Sequence, residues 1–236
     1  MNVLAIDVGG TNIKILATGE PEPRKFPSGP EMTPEAMVTG IREIASDWKY
    51  DAVSIGYPGL VRRGKIVAEP HNLGTGWIAY DFSAAFNCPV KLINDAAMQA
   101  LGSYQGGKML FLGLGTGLGS ALVMDGIVVP MELARLSYQK ATLEDYVGQR
   151  GLLRMGKKRW RRHVFYSFAK LIEAMFPDDV VLGGGNVTKL KQLPPGCRAG
   201  DNANSFIGAF RLWDSTIDPS KGSDVISIDT PPSPAS

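Results

Sequence analysis

Apolar and polar positions along this chain follow two periods, and the places where one gives way to the other mark its elements. Val3 to Val8 is apolar throughout except for Asp7, and Ile13 to Ala17 follows after Gly9-Gly10-Thr11-Asn12. This pattern predicts a strand, a tight turn and a second strand. The stretch "MLFLGLGTGLGSALVM" repeats the device and predicts a second hairpin over Met109 to Met124. Neither turn opens a helix: "IKILA" is short and β-branched, and "GLGTGLG" does not fit G-x-G-x-x-G. A P-loop and a dinucleotide-binding loop are thereby disfavoured.

Helical spacing appears between and after the hairpins. Thr33-Pro34 caps a helix whose apolar positions are Met37, Val38, Ile41, Ile44, Ala45 and Trp48. "DAVSIGYPGL" returns to a strand that ends in a loop. A short helix at Phe82 to Phe86 and a strand at Val90 to Ile93 lead into the helix "NDAAMQALGSY", with Asn94 and Asp95 at its N-terminus. Beyond the second hairpin, Thr142 opens a helix through Leu153 with Asp145 at the capping-box position. The longest helix is expected over Lys157 to Phe176. "VVLGGGNV" reads as a strand breaking on glycines into another helix, and "NANSFIGAFRLW" as the last helix. The end, rich in Ser, Asp and Pro, reads as disordered. Two units that each begin with a glycine-turned hairpin imply duplicated α/β lobes facing one another across a ligand cleft.

Composition narrows the function classes. The 236 residues are 44% hydrophobic and 20% charged with a formal net charge of +2, so nothing global calls for nucleic acid or a membrane surface. The basic run Lys157 to Arg162 is a local exception. Two cysteines, Cys88 and Cys197, make neither a disulfide framework nor a zinc spacing. No basic leader precedes Val3, and no apolar run approaches the ~18 residues of a membrane span. A cytoplasmic protein is the expectation.

The turns and the carboxylates suggest chemistry. Glycines between strands let main-chain N–H groups approach an anion closely, so two such turns can grip a polyphosphate from both sides. The plainer alternative is that Asn and Gly only make tight hairpins. Asp7 is a charge inside an apolar strand, costly to bury unless it is paired or faces a metal such as magnesium, directly or through water. Asp95 stands at a helix start, where the dipole favours its ionised form and where it can face the cleft as a general base. Its alternative role is that of an ordinary N-terminal helix acid.

The ordered set "AIDVGGTNIK", "GYPGLV", "INDAAMQALG", "LGLGTGLGSALVMDG", "ELARL", "TLEDYVG" and "VLGGGN" resembles the ROK family of bacterial sugar kinases and repressors. "KKRWRRHV" and "GDNANSFIGAFRLW" resemble its polyphosphate glucokinase-like branch. The resemblance covers Met1 to Trp213 and implies an actin-like, ribonuclease H-like α/β fold of two lobes with a cleft between them. The N-terminal lobe would take residues 1–105 together with the C-terminal helix 203–213, the other lobe 106–202, and a tail 214–236 would follow. The implied activity is phosphoryl transfer from polyphosphate or ATP, with Mg2+, to the 6-hydroxyl of glucose or a related hexose.

Carried over residue by residue, the resemblance makes Asp95 the base, while Gly59, Asn94, Glu132, Arg135 and Glu144 line the sugar site. Asp7, Gly9, Gly10, Thr11, Asn12 and Lys14 belong to the first phosphate turn, with Asp7 toward the metal. Gly115, Thr116, Gly117 and Gly119 form the second, and Gly184 and Gly185 the nucleotide-side loop. Lys158, Arg161 and Arg162 are the candidate polyphosphate ligands.

Two departures accompany the likeness. The family's cysteine-rich zinc motif has no counterpart between Arg135 and Thr142, so no zinc is expected. The family's E-x-G-H sugar motif reads Glu132-Leu133-Ala134-Arg135, replacing an imidazole by a permanent cation that accepts no hydrogen bond. This second departure keeps open an alternative, a sugar-binding sensor without turnover. Only Met1 and Asn2 precede the first strand, which leaves no room there for the family's DNA-binding domain. The expected partners are thus a sugar and a phosphoryl donor, with no nucleic acid and no membrane, and the family's habit leaves room for a homodimer.

Overall fold

The computed structural model describes residues 1–201 and 203–214. In the first sheet β1 (Val3–Val8), β2 (Asn12–Ala17) and β3 (Arg24–Pro27) form an antiparallel meander. Helix α1 (Pro34–Ile44) follows, and β4 (Ala52–Tyr57) returns parallel to β1. After the small hairpin β5 (Val61–Arg62) and β6 (Lys65–Ile66) and helix α2 (Phe82–Phe86), β7 (Val90–Asn94) adds in parallel to β4. Helix α3 (Asp95–Ser103) leaves directly from β7.

The second sheet repeats this wiring. Strands β8 (Lys108–Leu114), β9 (Leu118–Met124) and β10 (Ile127–Met131) form the meander. A connection carrying the two-residue strands β11 (Ser137–Tyr138) and β12 (Ala141–Thr142), α4 (Leu143–Val147) and α5 (Gln149–Met175) leads to β13 (Asp179–Gly183), parallel to β8. Strand β14 (Cys197–Ala199) completes the sheet, and α6 (Asn204–Arg211) ends the described chain. The strand orders, β3-β2-β1-β4-β7 and β10-β9-β8-β13-β14, are the same topology written twice.

Three apolar clusters stack these elements. One packs the outer face of the first sheet against α1 and α2, and another packs the second sheet against α4 and α5 through Trp160, Val164 and Phe168. Between the sheets lie α3 and α6, whose residues share a cluster with Ala5 of β1 and Phe111 and Val181 of the second sheet. The two helices approach at glycines: a Cβ on Gly102 would fall 1.8 Å from the Asn204 carbonyl oxygen, and one on Gly208 1.8 Å from that of Met98. That contact seats α3, and with it Asp95, between the sheets.

Several expected boundaries move. Thr142 and Asp145 do build the capping box, but the helix they open stops at Val147 because Gly148 is extended at φ −76°, ψ −177°. A side chain there would meet the Glu144 and Thr116 carbonyls at 2.9 Å. The chain is helical again from Gln149 and is interrupted once more at Gly156 (φ 73°, ψ 161°), so the long helix does begin at Lys157. The helix expected after "VVLGGGNV" is only a 3-10 turn, Val187–Lys189. It ends because Leu190 is already extended at φ −74°, ψ 140°. Helix α1 ends at Ile44, short of the buried Trp48. Strands β3 and β10 were not foreseen. The first is polar and half exposed, whereas the second is announced by Asp125-Gly126, both at positive φ as a hairpin turn requires. The tail's reading as disordered concerns residues that, after Asp214, lie outside those described.

Candidate active site

Asp95 is the first residue of α3, whose N-cap is Asn94 at the end of β7. Asn94 Oδ1 accepts from Ala97 N at 3.1 Å, and its Nδ2 donates to the Gly59 carbonyl at 3.1 Å. Asn94 therefore closes the helix and fixes the Gly59 loop, with one amide hydrogen left for a ligand. Asp95 Oδ1 accepts from Ala96 N at 2.7 Å. The second sheet comes equally close on the other side: a Cβ on Gly119 would stand 2.7 Å from that of Ala96. Asp95 thus sits in the seam between the sheets, within the field of carboxylates from both.

Its acidity reflects that position. Desolvation by burial, then the neighbouring Asp7, and to a lesser degree Glu132, push the Asp95 carboxyl up to about 7, against the lowering effect of the Ala96 N–H. The helix dipole alone favours the ionised form by ~0.3–1 kcal/mol, too little to prevail over burial at ~1.4 kcal/mol per pKa unit. The dipole expectation is corrected accordingly: burial and Asp7 outweigh the helix start, and the Asp95 carboxyl is raised to about 7.

The carboxylates around it are each paired. Asp7 faces Lys14 across the β1–β2 register, with Lys14 Nζ 3.6 Å from Oδ2. Burial raises the Asp7 carboxyl, while Lys14 and a hydrogen bond to Ser205 on α6 oppose the rise. Arg135 Nε lies 3.5 Å from Glu132 Oε2 at the 3-10 turn Leu133–Arg135. Burial raises Glu132, and Arg135 counters it. Glu144 Oε2 accepts from Leu118 N at 3.2 Å, and Oε1 lies 3.5 Å from Arg150 Nη2. Three cations thus answer three acids around Asp95, which has no ion pair of its own among the described residues.

The two glycine turns share a polarity. In the first, the Gly9 carbonyl accepts from Ser28 Oγ at 2.5 Å, that of Thr11 from Ser28 N at 2.9 Å, and that of Asn12 from Gly9 N at 3.1 Å. In the second, the Leu114 carbonyl accepts from Asn186 N at 2.9 Å, that of Gly115 from Asn186 Nδ2 at 2.8 Å, and that of Thr116 from Gln149 N at 3.0 Å. Carbonyls are consumed by the protein, and no main-chain acceptor among the described residues takes the N–H groups of Gly10, Thr11, Thr116 or Gly117. Such turns favour an anion.

Residues 3–130 match the ROK family. The chain belongs to that family. N-acetylmannosamine kinase of Shigella flexneri is 32% identical over 142 residues, which are 53% of this chain and 48% of the relative. The match thus spans about half the relative's length. Inorganic polyphosphate/ATP-glucomannokinase from Arthrobacter sp. strain KM superposes with a TM-score of 0.76 at 23% identity, over 88% of this chain and 96% of that one. A ROK family glucokinase from Streptomyces griseus, in complex with glucose and AMPPNP, does so with a TM-score of 0.72 at 18% identity, over 90% and 99%. The fold is the two-lobed, actin-like fold of ROK sugar kinases.

Within this ROK chain the basic motif divides. Lys158 and Arg162 are exposed on the first turns after Gly156, but Arg161 Nε and Nη2 donate to the Lys189 carbonyl at 2.8 and 2.6 Å. Trp160 of the same motif is buried and donates from Nε1 to the Val147 carbonyl at 2.7 Å, holding the end of α4, which carries Glu144. Gly184, at φ 85°, packs against the Leu114 main chain, while Gly185 is open to solvent. Ser28, Gln149, Asn186 and Ser205 also bond to these turns and carboxylates, and Lys189 to Asn186, beyond the residues the sequence singles out. Only Asn186 carried a signal, as the polar residue closing "GGGN".

Proposed function

We propose that this chain is a sugar kinase that transfers a phosphoryl group from ATP, inorganic polyphosphate or both to the 6-hydroxyl of a hexose. The observation that carries the reading is Asp95 itself: a carboxyl raised to about 7, with no cation paired to it among the described residues, in a seam flanked by two anion-favouring turns. A general base must be unprotonated at working pH yet basic enough to take a hydroxyl proton, and a value of about 7 meets both needs.

In this mechanism Asn94, Glu132 and Glu144 hold sugar hydroxyls, since carboxylates and amides accept or donate at several fixed angles. The first turn, from Gly9 to Asn12, and the second, from Gly115 to Gly119, direct N–H groups at the donor from the two lobes. Asp95 takes the 6-hydroxyl proton as the sugar oxygen attacks the terminal phosphorus and the bond to the donor's bridging oxygen breaks. Transfer then needs mainly positioning and charge stabilisation.

Magnesium, when bound, would neutralise charge on the donor phosphates. The described residues hold no cluster of three protein ligands, and Asp7 already has Lys14, which suits an ion kept mostly by phosphates and water with Asp7 at its hydration shell. Polyphosphate as donor is supported by the exposed Lys158 and Arg162, whose spacing puts them on one helix face. The division of the chain at residues 105/106 and 202/203 into two lobes remains part of this proposal, as does a cytoplasmic setting.

One observation favours the second reading, a sugar-binding sensor: Arg135 engages Glu132 and so competes with a sugar hydroxyl. A panel of glucose, mannose and N-acetylmannosamine against ATP and polyphosphate, followed by phosphate transfer, decides between them. Turnover of at least one pair, lost in Asp95→Asn, is expected. Sugar binding without turnover of any pair identifies the sensor.

A further inference from the structure

The 3-10 turn Val187–Lys189 lies where the second glycine turn meets the basic helix. Asn186, which precedes it, is 5% exposed and fully engaged. Its N–H donates to the Leu114 carbonyl at 2.9 Å, and its Nδ2 donates to the Gly115 carbonyl at 2.8 Å and to Gln149 Oε1 at 2.9 Å. Its Oδ1 accepts from Lys189 Nζ at 2.8 Å. From the other side, Arg161 places its fork on the Lys189 carbonyl. Lys189 is thus held at both ends, its ammonium through a single intermediary from a carbonyl of the phosphate turn.

The ammonium is partly buried, and what it meets is a neutral amide oxygen rather than a carboxylate. A cation withdrawn from water calls for a counter-charge. Among the described residues two of its three N–H donors have no acceptor and are available to one. Asn186 links the Lys189 charge to a turn whose own carbonyls are already occupied.

Resting on the kinase reading, we infer that Lys189 is the cation that receives the donor's phosphates beyond the second glycine turn. Asn186 and Arg161 are the residues that position it. Arg161 is then removed from the row of direct phosphate ligands and acts through the Lys189 main chain. The donor's path runs from the Gly115–Gly117 turn over Lys189 to Lys158 and Arg162. A purely local role, an ammonium tying one 3-10 turn together, is the competing account, and it predicts a stability effect alone.

The experiment measures donor KM and sugar KM separately, and binding of inorganic tripolyphosphate by calorimetry, which needs no turnover. Lys189→Met is expected to raise donor KM and the tripolyphosphate Kd by about tenfold, the scale of one charge-assisted contact, with sugar KM within about twofold. Lys189→Arg restores most of the loss. Arg161→Met and Asn186→Ala weaken tripolyphosphate binding in the same direction. Parent-like tripolyphosphate binding by Lys189→Met overturns the inference, as does a parent protein that binds no tripolyphosphate. Tight, Lys189-dependent tripolyphosphate binding without transfer to any sugar supports the inference while removing the kinase reading.

Discussion

Arg135 and Glu132 are joined across one turn of chain, Nε 3.5 Å from Oε2, with side chains 66% and 47% exposed. An ion pair so exposed contributes ~0–1 kcal/mol to the fold, so its importance lies in what it denies a ligand. Arg135→His frees the Glu132 carboxylate and supplies a group that can accept a hydrogen bond. The expected result is an unchanged Tm and a several-fold lower KM for glucose. Loss of activity in that variant instead assigns arginine as an adapted ligand for a different sugar.

Asp95→Asn keeps the shape of the base and removes its function. Turnover should fall by at least about a hundredfold, the usual scale of general-base catalysis, with sugar binding retained in calorimetry. Activity within tenfold of the parent would sink the assignment.

The same residue makes a pH prediction with two signs. Its folded value of about 7 lies above the ordinary 3.8, so kcat/KM should rise as pH rises through about 7. Stability should move the other way. A raised carboxyl contributes stability that is present below pH 3.8 and is lost as pH rises through about 7. Asp95→Asn should therefore match the parent near pH 3.5 and exceed it at pH 8 by on the order of 4 kcal/mol, read from denaturant melts.

Lys14→Met leaves Asp7 buried without its cation. The expected cost is about 1–3 kcal/mol, because a desolvated carboxylate loses its partner. The double variant Asp7→Asn/Lys14→Met should recover much of that stability. A double variant as unstable as the sum of the single changes means that the pair does not interact.

Two neighbouring glycines test the sugar wall. A Cβ at Gly117 would fall 2.0 Å from Glu144 Oε2, the end of a flexible side chain, so Gly117→Ala should displace Glu144 and spare the fold. Sugar KM should then rise by about tenfold with little change in Tm. Nothing lies within 4 Å of a Cβ at Gly115, so Gly115→Ala is the milder change. Equal effects from the two would remove Glu144 from the sugar site.

Local physics made much of this protein readable from its residues. The apolar run before Gly9-Gly10, the cap Thr33-Pro34, the capping box Thr142/Asp145 and the stripe Trp160, Val164, Phe168 each depend on neighbours within a few positions, and each appears in the structure. The repetition of the hairpin foretold the repetition of the sheet. Family likeness supplied the ordering of the two lobes, which no local period carries.

What only the tertiary structure decided is where distant groups meet. Asp95, at the start of α3, takes its basicity from burial and from Asp7 on β1, both invisible to the helix-dipole argument that a sequence permits. Arg161 looked interchangeable with Arg162 along the helix, yet packing turns the first onto Lys189 and leaves the second in solvent. Asn186 and Lys189 gain meaning only because β13 lies parallel to β8 and so brings their turn against Gly115. Periodicity and capping are short-range and sum along the chain. Desolvation, charge coupling and hydrogen-bond closure depend on which segments the fold places side by side, and a linear pattern does not contain that neighbourhood.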